Sequence, residues 1–190
     1  MSYSDSELIM SKRKRELKSI IIILRGVPGS GKTTTSQRLW EMFKDAYDYR
    51  VDIFNRDTLR QCYCTKHHID YQASFCNSHV NTRVRDTFYE NLFSHFQYTR
   101  SHPCVTIVDS TNTKKADLKH LFWIMNRALM EDRKKYDIYV YTKRTEYQSI
   151  HSVPEVIMKR FREELRISDE WLTHQAPQYN IKLVNKIALK

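Results

Sequence analysis

The chain has 190 residues, of which 41% are hydrophobic, and a chain of this size and composition forms one domain with its own core. Lys and Arg outnumber Asp and Glu by 32 to 22, which gives a formal net charge of +10. This surplus favours polyanionic partners such as nucleic acid, nucleotides or an acidic membrane surface. No segment is long and apolar enough to cross a bilayer, so we expect no membrane-spanning segment.

The four cysteines do not form the dense pattern of a disulfide-stabilised secreted domain. We therefore expect a reducing, intracellular location, in the cytoplasm or the nucleus. Residues 1–18 are polar and include the basic run Lys12–Arg15. This segment predicts a basic N-terminal arm, followed by a single domain over residues 19–190.

Hydrophobic patterning predicts strands that alternate with helices. Ser19–Leu24 contains four consecutive isoleucines, which is typical of a strand buried on both faces of a parallel sheet. An amphipathic helix follows, with Ser36, Leu39 and Phe43 on one face. The remaining predicted strands are Arg50–Phe54, Cys104–Val108, Asp137–Tyr141 and Asn180–Val184 at an edge, and the remaining helices are Ser74–Arg100, Lys114–Arg133 and one capped by Ser152. The order indicates a three-layer α/β domain with a mainly parallel central sheet.

A phosphate-binding loop follows the first strand. Residues 26–33 read GVPGSGKT, the P-loop pattern in which backbone amides wrap phosphates, Lys32 reaches the β- and γ-phosphates, and Thr33 contacts Mg²⁺. The strand before the loop and the helix after it are the context that this motif requires. The predicted nucleotide-binding residues are Gly26, Val27, Pro28, Gly29, Ser30, Gly31, Lys32, Thr33 and Thr34.

The loop alone does not distinguish GTPases, motor ATPases and kinases. The chain has little room for a motor or helicase architecture, and no NKxD string for reading guanine occurs in it. These observations favour a small phosphotransferase that uses ATP, or another NTP, together with Mg²⁺.

Two aspartates follow predicted strands, where the functional groups of parallel α/β sheets lie. Asp57 is expected in a loop leading into a helix start, with Arg60 three residues on and therefore on the same helical face. Asp57 is suited to accept the proton of the acceptor hydroxyl, and Arg60 is suited to bind a phosphate. The alternative for Asp57 is a helix N-cap. Asp109 has the position of a Walker B carboxylate, which would hold Mg²⁺ with Thr33.

These motifs resemble the kinase domain of the phage-type polynucleotide 5′-hydroxyl kinase family. The resemblance rests on Leu24–Thr33, Asn55-Arg56-Asp57 with Arg60, Asp109–Asn112 and Ser152-Val153-Pro154, and it extends from Ile20 to about Leu165. It implies a P-loop kinase fold with a helical lid. It also implies that Asp57 is the general base, that Arg60 binds the acceptor phosphate and that Arg144 is a lid arginine. The other acceptor-pocket residues it implies are Arg56, Ser110, Val153 and Pro154.

The chain departs from the family in two places. Gln148 aligns with a second lid arginine, and His151 is the candidate substitute. No phosphatase domain follows the kinase region, so the chain is expected to be a stand-alone kinase or a fragment of a repair protein. In the second case a phosphatase or ligase component would lie elsewhere.

A cluster of possible zinc ligands lies after Asp57. Cys62, Cys64, Cys76 and His79 are suitable ligand types, but their spacing matches no familiar zinc-finger pattern. Free thiols and surface imidazoles are the favoured interpretation.

The sequence thus predicts ATP-dependent phosphorylation of a nucleic-acid 5′-hydroxyl, in RNA or DNA. One alternative is a small-molecule P-loop kinase, acting on a nucleoside, sugar or antibiotic, and the net charge of +10 argues against it. The other is a nucleotide-binding or nucleic-acid-binding module without turnover. The presence of Lys32, Thr33, Asp57 and Arg60 together argues against that alternative.

Overall fold

The computed structural model describes residues 18–47, 50–146 and 153–184. The predicted basic arm therefore lies outside the described residues except for Lys18, as do Gln148, His151 and Ser152. In chain order the elements are β1 (Ser19–Arg25), α1 (Lys32–Tyr47), β2 (Arg50–Asn55), α2 (Arg56–His67), α3 (Tyr71–Ser74), α4 (Ser78–Thr99), β3 (Cys104–Asp109), α5 (Lys115–Leu129), a 3₁₀ segment (Met130–Lys135), β4 (Tyr136–Thr142), α6 (Glu155–Gln175) and β5 (Ile181–Val184).

The five strands form one parallel sheet in the order β2-β3-β1-β4-β5. β1 lies at its centre, and all seven of its residues are buried. The predicted α/β class, the parallel sheet and the edge position of the last strand are confirmed.

Successive side chains of β1 point to opposite faces, as a strand requires, and each face is covered by helices. Ile21 and Ile23 pack into a cluster with residues of α4, α5 and α6. Ile20 and Ile22 pack into a second cluster with Leu39 of α1. The sheet is therefore the middle of three layers, and its carboxyl edge is where the segments after β1, β2 and β3 meet.

Three predicted boundaries were wrong, each for a local reason. Asp57 lies in the first turn of α2 rather than in a loop, because Asn55 caps that helix directly at the end of β2. The long helix predicted from Ser74 begins at Ser78 as α4, because Ser74 ends the short helix α3 and Asn77 caps α4. The helix predicted to reach Arg133 ends at Leu129, because Met130 has a positive φ of 44°.

The last long helix, α6, begins at Glu155, with Pro154 in the N-cap position and no side-chain cap. Its start therefore differs from the predicted cap at Ser152, a residue outside the described part of the chain. Among the described residues, no helix is long and apolar enough to span a bilayer.

Substitution of Phe96 tests the assignment of the hydrophobic core on the α4 side of the sheet. Its side chain is fully buried, whereas Tyr98, two residues on, is 46% exposed. We expect Phe96→Ala to lower the free energy of unfolding by about 3–5 kcal/mol, because it removes buried apolar area and leaves a cavity. Tyr98→Ala should change it by less than about 0.5 kcal/mol. Denaturant titration of both variants measures the difference, and equal losses would contradict this assignment of the core.

Candidate functional site

The loop between β1 and α1 turns through three glycines with positive φ, namely Gly26 (150°), Gly29 (74°) and Gly31 (80°). A Cβ at Gly26 would lie 2.5 Å from the carbonyl oxygen of Lys143, which is closer than any real Cβ contact. Only glycine therefore fits where the loop passes the end of β4. This geometry lets the backbone amides turn inward, as a phosphate-binding loop requires.

Lys32 is held inside this loop and is only 9% exposed. Its ammonium donates to the carbonyl oxygens of Gly26 (3.1 Å) and Val27 (2.8 Å) and to Ser30 Oγ (3.3 Å). Burial lowers the pKa of Lys32, and the nearby carboxylates of Asp109 and Asp57 oppose that shift. The structure thus brings the loop lysine and both predicted aspartates into one electrostatic neighbourhood.

Asp109 ends β3 and is 2% exposed. Its Oδ2 accepts hydrogen bonds from Ser36 Oγ (3.0 Å) and Asn55 Nδ2 (2.8 Å). Burial raises the pKa of this carboxyl, while hydrogen bonds donated by Asn55, Ser36 and Thr33 and the charge of Lys32 oppose the shift. A carboxylate beside a threonine hydroxyl is the hard oxygen donor set that suits Mg²⁺, so these residues fit that ion.

Asn55 links the two predicted aspartates. It pairs with Asp109 in the parallel register of β2 and β3, and its Oδ1 accepts from the backbone amides of Asp57 (2.7 Å) and Thr58 (3.0 Å). The same side chain therefore fixes Asp109 and begins the helix that carries Asp57. Sequence reasoning assigned Asn55 no role, although an Asn between a strand and a helix is a recognisable cap signal. Ser36 was also missed, because it was interpreted as part of the core face of α1.

Asp57 is exposed in the first turn of α2. The N-cap alternative for Asp57 was wrong, since Asn55 occupies that position. The Asp57 carboxylate also acts on Tyr71, whose pKa is raised mainly by burial and further by Asp57, with Arg60 opposing. Asp57 and Arg60 therefore share one side of α2, as the spacing predicts.

Arg56 and Arg60 each have a buried Nε with no hydrogen-bond partner in the described part of the chain. Arg60 Nη1 donates to the carbonyl oxygen of Ser74 (3.3 Å), and its guanidinium lies 4.4 Å from the ring centroid of Phe75. Arg56 Nη2 donates to Tyr89 Oη (2.5 Å). Buried polar atoms are normally satisfied, so these two guanidinium groups depart from the usual pattern.

The remaining predicted acceptor residues differ in their accessibility. Ser110 is 7% exposed, and its hydroxyl donates to Asn112 Oδ1 (2.6 Å). Val153 packs with Val27 of the phosphate loop, and Pro154 is exposed at the start of α6. The start of α6 therefore contacts the loop, whereas the Ser110 hydroxyl is engaged within its own turn.

Arg144 lies just after β4 and is 68% exposed, and its Nη2 forms an ion pair with Asp169 Oδ2 of α6 (2.7 Å). Asp169 also binds Arg25, which is fully buried and hydrogen-bonds Ser168. Burial lowers the pKa of Arg25, and the carboxylate of Asp169 opposes this. Arg144 is thus anchored to α6 through the Asp169 carboxylate, which also binds Arg25 at the end of β1.

Among the described residues, the possible zinc ligands Cys62, Cys64, Cys76 and His79 do not form a group of three or more close donor atoms. Within the described ranges the one such group is Asp52, His95 and Cys104, whose donor atoms all lie within 4.8 Å of one another. Its atoms are already hydrogen-bonded: Arg50 Nε donates to Asp52 (2.8 Å), and His95 Nε2 lies 2.8 Å from Thr106 Oγ1. Cys104 and Asp52 lie toward the amino ends of their strands, away from the phosphate loop.

A glycine-rich loop that encloses a buried lysine, at the carboxyl edge of a parallel sheet and before a helix, defines a P-loop nucleotide-binding domain of the kinase-like α/β class. Such a domain binds nucleotides, typically with Mg²⁺. The chain belongs to the AAA domain family, whose model matches residues 21–149.

Solved structures share this fold. A chain in the structure of the Pnkp1/Rnl/Hen1 RNA repair complex is 15% identical, with a TM-score of 0.54 over 84% of this chain and 48% of that chain. The present chain thus spans about half the length of that protein. The crystal structure of APE1195 is 16% identical, with a TM-score of 0.50 over 92% of this chain and 88% of that chain. No curated protein matches the chain.

Asn55→Ala tests the link between Asp109 and α2. The change removes a helix cap and a hydrogen bond to a buried carboxylate, so we expect unfolding free energy to fall by about 2–3 kcal/mol. Asn77→Ala is the matched control, since Asn77 also caps a helix, through Val80 N (3.2 Å), and it should cost only about 1 kcal/mol. Nucleotide affinity with Mg²⁺, measured by calorimetry, should fall for Asn55→Ala alone. Equal effects of the two variants would show that Asn55 is an ordinary cap.

Proposed function

We propose that this protein transfers the γ-phosphoryl group of ATP, or another NTP, to the 5′-hydroxyl end of a nucleic acid. The observation that carries the proposal is the arrangement of one helix turn. Asp57 is exposed and close enough to Lys32 to act on its pKa, while Arg56 and Arg60 beside it keep buried Nε atoms that have no partner among the described residues. This arrangement supports the assignment of Asp57 as a base for a hydroxyl and of the two arginines as cations for a phosphate.

On the donor side, the loop amides over residues 26–31, the start of α1 and Lys32 bind the β- and γ-phosphates. Lys32 exchanges carbonyl acceptors within the loop for phosphate oxygens, and its positive charge then neutralises charge on the transferred group. Thr33 and Asp109 would hold Mg²⁺, which neutralises further phosphate charge when bound.

On the acceptor side, Asp57 accepts the proton of the attacking 5′-hydroxyl. Arg60 and Arg56, four residues apart on one face of α2, bind the phosphate that follows the terminal nucleoside. Ser110, Val153 and Pro154 line the remaining wall of the acceptor pocket.

Arg144 neutralises charge on the γ-phosphoryl group in the transition state, as the arginine of a lid does. To do so it leaves the carboxylate of Asp169. An exposed ion pair of this kind contributes about 1 kcal/mol or less, so a phosphate readily replaces it. Because Asp169 also receives Arg25, its negative charge stays paired after Arg144 has left.

The setting that fits this activity is the repair of nucleic-acid ends. The fold is shared with a chain from an RNA repair complex, and a phosphatase or ligase component on another part of the protein, or on a partner, would complete such a pathway. In this proposal residues 19–190 form the kinase domain and residues 1–18 a basic arm.

The deciding experiment incubates the protein with γ-labelled ATP and Mg²⁺, using 5′-hydroxyl RNA, 5′-hydroxyl DNA and a panel of nucleosides and sugars as separate acceptors. We expect label on at least one oligonucleotide and none when its 5′ end is already phosphorylated. Label on small acceptors alone would support a small-molecule kinase. Nucleotide binding without transfer to any acceptor would support a non-catalytic module.

Asp57→Asn tests the base. We expect kcat to fall by about 10²–10⁴, since general-base catalysis contributes this much, while affinity for ATP stays unchanged because Asp57 lies on the acceptor side. Asp45→Asn, which changes an exposed carboxylate on α1, controls for loss of surface charge. Steady-state kinetics with the oligonucleotide acceptor measure both. A wild-type kcat in Asp57→Asn would remove this residue from the mechanism.

A further inference from the structure

A row of contacting cations and rings, with Tyr89 buried in its middle, links the proposed acceptor pocket to the outer face of α5. Arg56 on α2 bonds to Tyr89 of α4, and the Tyr89 ring packs on His120 of α5 with centroids 4.3 Å apart. His120 stacks on Trp123 (5.7 Å between centroids, 22° between planes), and the Arg127 guanidinium lies 5.2 Å from the Trp123 ring. These five side chains form what we call the aromatic track.

The outer surface of α5 is both aromatic and basic. Trp123 is 52% exposed, although large aromatic residues are usually buried. Lys115, Lys119, Trp123 and Arg127 follow one another at four-residue intervals, and all four are exposed. At about 1.5 Å per residue, this stripe is about 18 Å long, which is enough for several nucleotides.

Two acidic groups beside the track are paired with arginines. Asp117 lies 3.7 Å from Arg56, and Asp86 lies 3.0 Å from Arg85. Burial and the nearby Arg85 lower the pKa of His120, with Asp117 opposing. A His120 ring that is neutral at neutral pH offers a face for stacking rather than a charge.

The track begins at the site and not elsewhere on the surface. α5 follows β3, whose last residue is Asp109, so Lys115 lies near the carboxyl edge of the sheet and Arg127 toward the opposite end. At the near end, Arg56 is the immediate neighbour of Asp57. A chain whose 5′ end lies at Asp57 can therefore continue along α5.

We propose that the aromatic track and its lysines bind the nucleotides that follow the 5′ end of a single-stranded acceptor. This inference rests on the proposed function. Bases stack on Trp123 and His120, and the backbone phosphates contact Lys115, Lys119 and Arg127. Aromatic platforms combined with cations along the backbone are the common means of holding single strands. A duplex offers no base faces along its length, so unpaired acceptors bind more tightly than blunt ones.

The test measures binding and transfer with two single-stranded acceptors, a dinucleotide and a dodecamer, and with a blunt duplex of the same sequence. We expect the wild type to bind the dodecamer more tightly than either of the other two. Trp123→Ala should weaken dodecamer binding about tenfold, since stacking on one aromatic side chain contributes this order of affinity. Its dinucleotide binding and turnover should not change, because a dinucleotide does not reach Trp123.

Two further variants separate stacking from a general surface effect. Trp123→Phe keeps a ring and should restore most of the dodecamer affinity. Tyr98→Ala removes another exposed ring, stacked on His102 at 4.4 Å with Arg50 above it, but Tyr98 lies at the end of α4 near the start of β3. It should leave dodecamer binding unchanged. Thermal unfolding of each variant confirms that the fold is intact.

The outcomes distinguish this inference from the proposed function. Equal dodecamer affinity in wild type and Trp123→Ala, or a duplex bound as tightly as the single strand, overturns the track while transfer to the dinucleotide continues. Conversely, Trp123-dependent dodecamer binding without transfer to any 5′-hydroxyl overturns the kinase assignment and supports the track as a nucleic-acid surface.

Discussion

The candidate site depends on the hydrogen bond between Asn55 and Asp109. These residues end adjacent parallel strands, and Asn55 Nδ2 donates a hydrogen bond to the buried carboxylate of Asp109 at 2.8 Å. The side-chain oxygen of Asn55 caps α2 by accepting hydrogen bonds from two backbone N–H groups. A single side chain thus couples the metal-binding carboxylate that we propose to the helix that presents Asp57. A rotation of Asn55 would break both sets of hydrogen bonds at once.

A second polar clamp secures the other side of the phosphate loop. Arg25 is fully buried at the end of β1, and its guanidinium binds Asp169 and Ser168 of α6 and the carbonyl of Asn112. An unpaired buried guanidinium would be very costly, so β1, the turn after β3 and α6 are held in one arrangement. α6 in turn packs Met158 against Val27 of the loop. The loop is therefore held against α6 on the side of the buried clamp.

The proposed acceptor side is built differently, from partly satisfied cations. Arg56 and Arg60 are supported by aromatic rings, which hold guanidinium groups in place without neutralising them. A cation that is oriented but incompletely paired gains most from an incoming phosphate, because little existing hydrogen bonding is lost. The net charge of +10 adds a long-range attraction for a polyanion. The combination favours a nucleic acid over a small neutral acceptor.

The sequence by itself determined the three-layer class, a first strand buried on both faces and the phosphate loop, since these follow from periodicity and from a motif whose residues are contiguous. Tertiary structure decided what depends on strand register and on contacts between distant segments. Asn55 meets Asp109 only because β2 and β3 pair in parallel, and Arg144 meets Asp169 only because α6 folds back over β4. The row from Arg56 to Arg127 likewise unites three helices that are separate in the chain. Local patterns encode elements, whereas the side chains that converge on a site are brought together by packing, which no local pattern records.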